Sequence, residues 1–174
     1  MSKINLLALC LFSAAATLVA GPERSSGQLQ AVLNGYGEVP AVVTTGSAEA
    51  TVTIASDKSS ISVTLKFTKL TGTASSAGLY LGLPGTTGGL IAPICGATPL
   101  PACTSDTSIT TTINSSDIAG ISAQGLNKGD LASVLQALSG GAVYVNVVTS
   151  TFPNGEIRGT LIRGLGFLLG GLGL

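Results

Sequence analysis

The sequence predicts an all-β protein, an antiparallel Greek-key-like β-sandwich with one short helix near residues 128–139. Two observations predict it. About seven short segments alternate apolar and polar residues with the period of two that half-buried strands show, and turn-type residues separate them. Several short antiparallel strands in about 145 residues are typical of a sandwich. A chain of 174 residues is also the length of a single domain.

Two β-hairpins are the clearest local predictions. Residues 48–54 and 61–68 alternate strictly, and the Ser-Asp-Lys-Ser-Ser segment between them has the composition of a turn. Residues 143–148 and 156–161 form a second alternating pair, joined by Phe-Pro-Asn-Gly at 152–155. Further strands are predicted over residues 28–33, 78–83 and 108–113.

One segment departs from the strand pattern. Leu131, Val134, Leu135 and Leu138 recur at helical spacing. Either Asn127 or Asp130 could cap the start of this helix, and Gly140 could end it.

The first 20 residues have the features of a secretory signal peptide. Lys3 is the only charge among the first 22 residues, and an apolar run over 4–20 ends among small alanines. An uncleaved membrane anchor is the alternative, because a mainly apolar run of 17 residues is at the lower limit for a bilayer span. We therefore predict a signal peptide over 1–20, a domain over 21–163, and a mature chain that is secreted, periplasmic or at the cell surface.

The last eleven residues, 164–174, form an apolar tail rich in glycine and leucine. They are too few to span a membrane as a helix. Two interpretations remain open: weak association with a membrane or with a second copy, or a segment that extends the last strand or stays loose.

Cys95 and Cys103 are the two cysteines left once a signal peptide is removed. An even number of cysteines in an exported chain predicts a disulfide. Their spacing is not that of a Cys-x-x-Cys redox or metal pair, so we expect a structural crosslink.

The composition excludes several classes of function. Eight basic residues balance eight acidic ones, so nothing supplies the basic surface that a nucleic-acid partner requires. The chain has no histidine, which removes imidazole bases and histidine-bound metals. We expect no catalytic residue, no metal and no cofactor.

Residues 33–42 read Leu-Asn-Gly-Tyr-Gly-Glu-Val-Pro-Ala-Val, and Thr-Gly-Ser-Ala follows at 45–48. Residues 144–149 read Tyr-Val-Asn-Val-Val-Thr, and residues 152–161 read Phe-Pro-Asn-Gly-Glu-Ile-Arg-Gly-Thr-Leu. With the glycine loop near residues 82–91, these segments resemble the opening, closing hairpin and middle loop of the CHRD domain. That domain is named for its repeats in chordin and also occurs singly in exported bacterial proteins. The resemblance singles out, as structural or binding positions, Glu38, Pro40, Tyr144, Asn146, Gly155, Glu156, Arg158 and Gly159.

The sequence departs from the family at three positions. The family often carries a His-x-His pair where Gly78 and Tyr80 stand, and a further histidine at the position of Val148. Those histidines are similar to the ligand pattern of copper–zinc superoxide dismutases, so the resemblance implies a dismutase-like sandwich. It implies no metal or redox role for this chain.

Two side-chain pairs have competing interpretations. Glu156 and Arg158 share one face of a predicted strand, which favours a surface ion pair, with Glu38 as one candidate partner, over a binding patch. Tyr80 and Tyr144 are interpreted as amphipathic residues at the core edge rather than as residues that stack on a ligand.

These observations predict an exported, non-catalytic CHRD-domain protein, a binding or cell-envelope-associated module of unassigned ligand, whose partner would be an extracellular or envelope protein or a glycan. A self-associating structural surface protein is the first alternative. A degenerate dismutase-like enzyme is the second, and it rests only on the sandwich analogy.

Overall fold

The computed structural model of the chain describes residues 28–104 and 108–163, which form nine strands and one α-helix. The predicted signal peptide (1–20) and the apolar tail (164–174) lie outside these residues. The strands are β1 (Gln28–Asn34), β2 (Ser47–Ile54), β3 (Ser60–Thr68), β4 (Ala74–Leu81), β5 (Leu90–Cys95), β6 (Ile109–Asn114), β7 (Val143–Thr149), β8 (Ile157–Thr160) and β9 (Ile162–Arg163).

All the strand pairs are antiparallel and form one continuous sheet in the order β5-β4-β7-β8-β1-β2-β3-β6, with β9 beside β1. The two outermost strands approach each other, because Thr111 Oγ1 of β6 donates a hydrogen bond to Ile94 O of β5 at 2.7 Å. The sheet is therefore curled into a nearly closed barrel or sandwich, and the all-β prediction is confirmed.

The hydrophobic core fills the interior of this curled sheet. Strand β1 alternates exposed and buried residues along its whole length, as period-two patterning requires. Strands β2 and β3 pair in the register Val52↔Val63 and Ala50↔Leu65, which turns their apolar faces inward together. The largest fully buried side chains include Phe67, Leu33, Ile61, Leu65, Leu79, Ile91 and Ile157.

Both predicted hairpins are confirmed. β2 and β3 pair over their full length around the turn at 55–59. β7 and β8 pair from Val147↔Ile157 to Tyr144↔Thr160, around the Phe-Pro-Asn-Gly turn. The second hairpin lies at the centre of the sheet, between β4 and β1, and it carries most of the residues that the sequence motif singled out.

Strand β5 was not predicted. Pro93 lies within it, and proline normally argues against a strand because it has no N–H to donate. Because β5 is an outermost strand, it is one of the places in a sheet where a proline is tolerated. The residues that connect β4 to β5 form the glycine loop described below.

The single α-helix, α1 (Leu131–Ser139), is shorter at its start than predicted. Asp130 is the cap, since its Oδ1 accepts a hydrogen bond from Ser133 N at 3.0 Å, and Gly140 ends the helix. Leu131, Val134 and Leu138 are buried against the sheet. Among the described residues, no helix has the length and apolar character needed to cross a membrane.

The predicted disulfide between Cys95 and Cys103 is present, with 5.2 Å between the two Cα atoms. It closes the loop that follows β5.

Candidate functional site

The motif residues gather on the outer face of the central hairpin, opposite the hydrophobic core. Two connections cover this face. We call residues 35–46, between β1 and β2, the opening connection, and residues 82–89, between β4 and β5, the glycine loop. The polar and aromatic side chains beneath them are buried although they point away from the core.

Arg158 of β8 fastens the glycine loop to the hairpin. Its Nη2 donates hydrogen bonds to Leu83 O at 3.4 Å and to Thr86 O. Its guanidinium carbon lies 3.3 Å from the centre of the Tyr144 ring, which is cation–π geometry. Only 3% of the Arg158 residue is exposed, so these contacts replace most of the hydration of its charge.

Tyr144 of β7 extends this stack to β4 and to the glycine loop. Its ring stacks on Tyr80 with 5.3 Å between the ring centres and 13° between the planes. Its Oη accepts a hydrogen bond from Gly88 N at 3.2 Å. Both tyrosines therefore have structural contacts, and these contacts lie on the outer face of the sheet rather than at the edge of the core.

Glu38 and Asn146 converge at Gly155. A Cβ on Gly155 would lie 2.6 Å from both Glu38 Oε1 and Asn146 Oδ1, so only glycine fits there, and the φ of +132° also favours glycine. The two oxygens are buried, and neither has a hydrogen-bond partner among the described residues. Two neighbouring acceptors without a donor disfavour a charged carboxylate at this place.

The ionisation of Glu38 follows from this environment. Burial raises the pKa of Glu38 to about 7, and the positive charge of Arg158 offsets only part of the increase. The carboxyl group of Glu38, which the opening connection places against Gly155, thus binds a proton near neutral pH.

Glu156 joins three separate parts of the chain, all through one carboxylate. Its Oε1 accepts hydrogen bonds from Thr44 Oγ1 and from Thr71 N, each at 2.7 Å, and its Oε2 accepts one from Thr149 Oγ1 at 2.8 Å. Burial alone would raise the pKa of Glu156, but these hydrogen bonds outweigh burial and lower it. The expected surface ion pair is wrong for Glu156 and Arg158, because both side chains are buried and their partners are hydroxyl and backbone groups.

The two remaining motif residues have different surroundings. Pro40 is exposed on the opening connection and follows a cis peptide bond. Gly159 allows β8 to approach β1 closely, since a Cβ there would lie 2.5 Å from Val32 O. The structure thus brings together Glu38, Tyr144, Asn146, Gly155 and Arg158, and places Glu156 in a second cluster.

The motif did not reveal the threonines that hold Glu156. Thr44, Thr71 and Thr149 come from three connections or strand ends, and only their meeting at one carboxylate distinguishes them from ordinary surface threonines. Thr149 was within the quoted closing motif, but its role depends on a partner seven residues away in the hairpin.

The three positions at which the family resemblance implies histidines share one face of β4 and β7. Gly78 pairs with Asn146, Tyr80 with Tyr144, and Val148 with Ser76. These positions supply one phenol and no imidazole, and the Leu90 side chain fills the space beside Gly78. The residues present do not fit a histidine-bound metal, and no group of three or more cysteine, aspartate or glutamate side chains gathers in the described ranges.

Replacing Glu156 by alanine should strongly destabilise the fold. The change leaves one buried donor and two part-buried donors, from three chain segments, without their acceptor, so we expect the free energy of unfolding to fall by about 2–3 kcal/mol. Urea denaturation at pH 7 measures this loss. Glu49→Ala, at an exposed position of β2, is the control and should change stability little; equal effects of the two substitutions would contradict the assignment.

Glu38 should make stability depend on pH near neutrality. Its pKa in the folded chain is about 7, above the 4.5 of an unperturbed glutamate, so its stabilising contribution is complete below pH 4.5 and is lost as the pH rises through 7. Glu38→Gln, which mimics the protonated carboxyl, should be more stable than the wild type at pH 8 by about 2 kcal/mol and should remove this dependence. Urea denaturation at several pH values from 4.5 to 8.5 tests this. A free energy of unfolding that changes with pH in the same way in the two proteins would contradict it.

Comparison with known proteins agrees with this architecture. No curated protein and no solved structure matches the chain. The family model of the CHRD domain matches residues 29–161, which is most of the chain and nearly all of the described structure. CHRD domains are non-enzymatic, typically extracellular modules of binding type. The chain belongs to the CHRD domain family.

Proposed function

We propose that this chain is an exported, non-catalytic module that binds a protein partner outside the cell. The observation that carries the proposal is the set of large apolar side chains exposed on the two connections that cover the site. Tyr36 is 74% exposed, Val43 85%, Leu83 57% and Val39 40%. We call these four residues the rim.

The rim has the composition of a protein-binding surface. Tyrosine is enriched in such interfaces, and burial of aliphatic side chains is a main source of their stability. The chain carries only 9% charged residues, so electrostatic attraction contributes little to partner choice. A protein surface with complementary apolar side chains is the partner that this chemistry favours, and a glycan is the alternative that the experiment below distinguishes.

Buried contacts hold both parts of the rim in place before any partner arrives. Arg158 holds the glycine loop that carries Leu83, and Glu156 holds Thr44 beside Val43. The opening connection is further fixed by hydrogen bonds from Val42 N to Gly35 O at 2.8 Å and from Gly37 N to Asn34 Oδ1 at 3.1 Å. A preformed surface loses less conformational freedom on binding, which favours affinity.

Export is supported by the family and by the crosslink. CHRD domains are typically extracellular, and the Cys95–Cys103 disulfide fits an oxidising environment. The sequence features of residues 1–20 agree with this location.

The proposal predicts that binding depends on the rim and not on exposed apolar residues in general. The bait is the chain from residue 21, crosslinked to intact cells of its source organism and recovered with its partners. The triple variant Tyr36→Ser, Val43→Ser, Leu83→Ser should recover the partner with at least about tenfold weaker affinity. The control variant Val32→Ser, Ile162→Ser removes two exposed apolar side chains of β1 and β9 and should bind like the wild type.

Two results would contradict the proposal. One is the absence of any specifically crosslinked partner, and the other is equal recovery by the wild type and the rim variant. If glycosidase treatment of the cells abolishes recovery, the partner is a glycan and not a protein.

A further inference from the structure

Glu38 lies where one buried side chain holds half of the rim. It follows the short 3₁₀ turn Gly35–Gly37, and its N–H donates a hydrogen bond to Gly35 O at 3.2 Å. The rim residue Tyr36 lies within that turn, and the rim residue Val39 follows Glu38 directly. Both are exposed, whereas only 8% of Glu38 is exposed. The contact that fixes the Glu38 side chain therefore also fixes these two rim residues.

That contact is made with the central hairpin. Glu38 Oε1 and Asn146 Oδ1 each lie 2.6 Å from the position that a Cβ on Gly155 would occupy, so the two oxygens are near neighbours. Both are buried, and neither has a hydrogen-bond partner among the residues that the structure describes. One hydrogen between them would satisfy both oxygens. Of the two groups, only the carboxyl can bind that hydrogen and become a donor.

The charged and titratable groups around Glu38 leave the neutral carboxyl favoured. Arg158 of β8 attracts the ionised form, but its guanidinium is already engaged with the Tyr144 ring and with carbonyls of the glycine loop. Tyr80 of β4 also acts on Glu38, and burial, Tyr144 and Glu38 together raise the pKa of Tyr80, so it brings no charge near neutral pH. Burial of Glu38 outweighs the attraction of Arg158.

We propose that Glu38 carries a proton in the folded chain and donates it in a hydrogen bond to Asn146 Oδ1, and that ionisation of Glu38 releases Tyr36 and Val39 from their places in the rim. The consequence for binding rests on the proposed function: the partner is held in a weakly acidic medium and released as the medium becomes alkaline. The other half of the rim does not take part, because the contacts of Glu156 and Arg158 hold it.

The proton can be observed directly, because the chain contains only four glutamates. In the chain from residue 21, labelled with ¹³C at the glutamate carboxyl carbons, one resonance should titrate near pH 7, the pKa of Glu38, and should be missing in Glu38→Gln. The side-chain amide resonances of Asn146 should titrate with the same midpoint, and should stay constant in Glu38→Gln. Glu49→Gln, at an exposed position of β2, is the matched control and should alter neither titration.

Amide hydrogen exchange tests the release. The N–H groups of Gly37 and Glu38 are hydrogen-bonded within the turn and to its cap, so they should be protected below pH 7. Their protection, relative to the unfolded chain at the same pH, should fall several-fold between pH 6 and pH 8.5 in the wild type and stay constant in Glu38→Gln. The amide of Gly88 in the glycine loop should keep its protection in both proteins.

Binding separates this inference from the proposed function. A partner recovered by crosslinking should bind the wild type more weakly at pH 8 than at pH 6, by up to about tenfold, because the protonated fraction falls to about one tenth at one pH unit above the pKa. Glu38→Gln should bind equally at both values. If no partner is recovered, the proposed function fails, while the titration and the hydrogen exchange still decide whether the proton holds the turn.

Four results would overturn the proposal. The first is a Glu38 carboxyl that titrates near 4.5, the ordinary pKa of glutamate. The second is a set of Asn146 amide resonances that do not follow the Glu38 titration. The third is protection of Gly37 and Glu38 that is the same at pH 6 and pH 8.5, or that falls equally in Glu38→Gln. The fourth is wild-type binding to a recovered partner that is equally strong at pH 6 and pH 8.

Discussion

The buried carboxylate of Glu156 is the interaction on which the arrangement of this surface depends. A charged group without solvent is costly unless donors surround it, and here the donors come from Thr44, Thr71 and Thr149. Because these residues belong to the opening connection, the β3–β4 connection and the end of β7, satisfying one charge fixes three parts of the chain relative to the central hairpin. Arg158 does the same for the glycine loop, through two backbone carbonyls and the Tyr144 ring. Polar burial therefore organises the outer face, while apolar burial organises the interior.

This division of roles leads from the hairpin to the proposed function. The charged and aromatic residues of the motif are occupied with internal contacts, so the proposed binding is assigned to exposed side chains of the two connections, Tyr36, Val43 and Leu83. The contributions of the two glutamates to stability also change in opposite directions with pH. The lowered pKa of Glu156 means that its contribution is lost as the pH falls, and the raised pKa of Glu38 means that its contribution is lost as the pH rises through 7. The connections that carry the rim are consequently held best at weakly acidic pH.

Sequence alone predicted the features that depend on local patterning. The period-two alternation of β2 and β3 and the Phe-Pro-Asn-Gly turn are each determined by neighbouring residues, and each is present in the structure. Of the two cap candidates, Asn127 and Asp130, the structure selects Asp130. Features that depend on the tertiary fold were not predictable. Pro93 concealed β5 because an outermost position is known only once the sheet is assembled. A surface ion pair was expected at Glu156 and Arg158 because nothing in a short strand shows that two connections will cover it.

The central claim is that buried charged side chains hold the connections of the outer face in place, and amide hydrogen exchange of an Arg158→Met variant tests it most directly, at the glycine loop. Methionine retains apolar bulk but removes the donors to Leu83 O and Thr86 O. The account predicts that exchange accelerates at the amides of residues 82–89, including Gly88, while the amides of β2 and β3 stay as protected as in a Lys66→Met control. Unchanged protection of the loop, or an equal loss of protection throughout the barrel, would contradict the account.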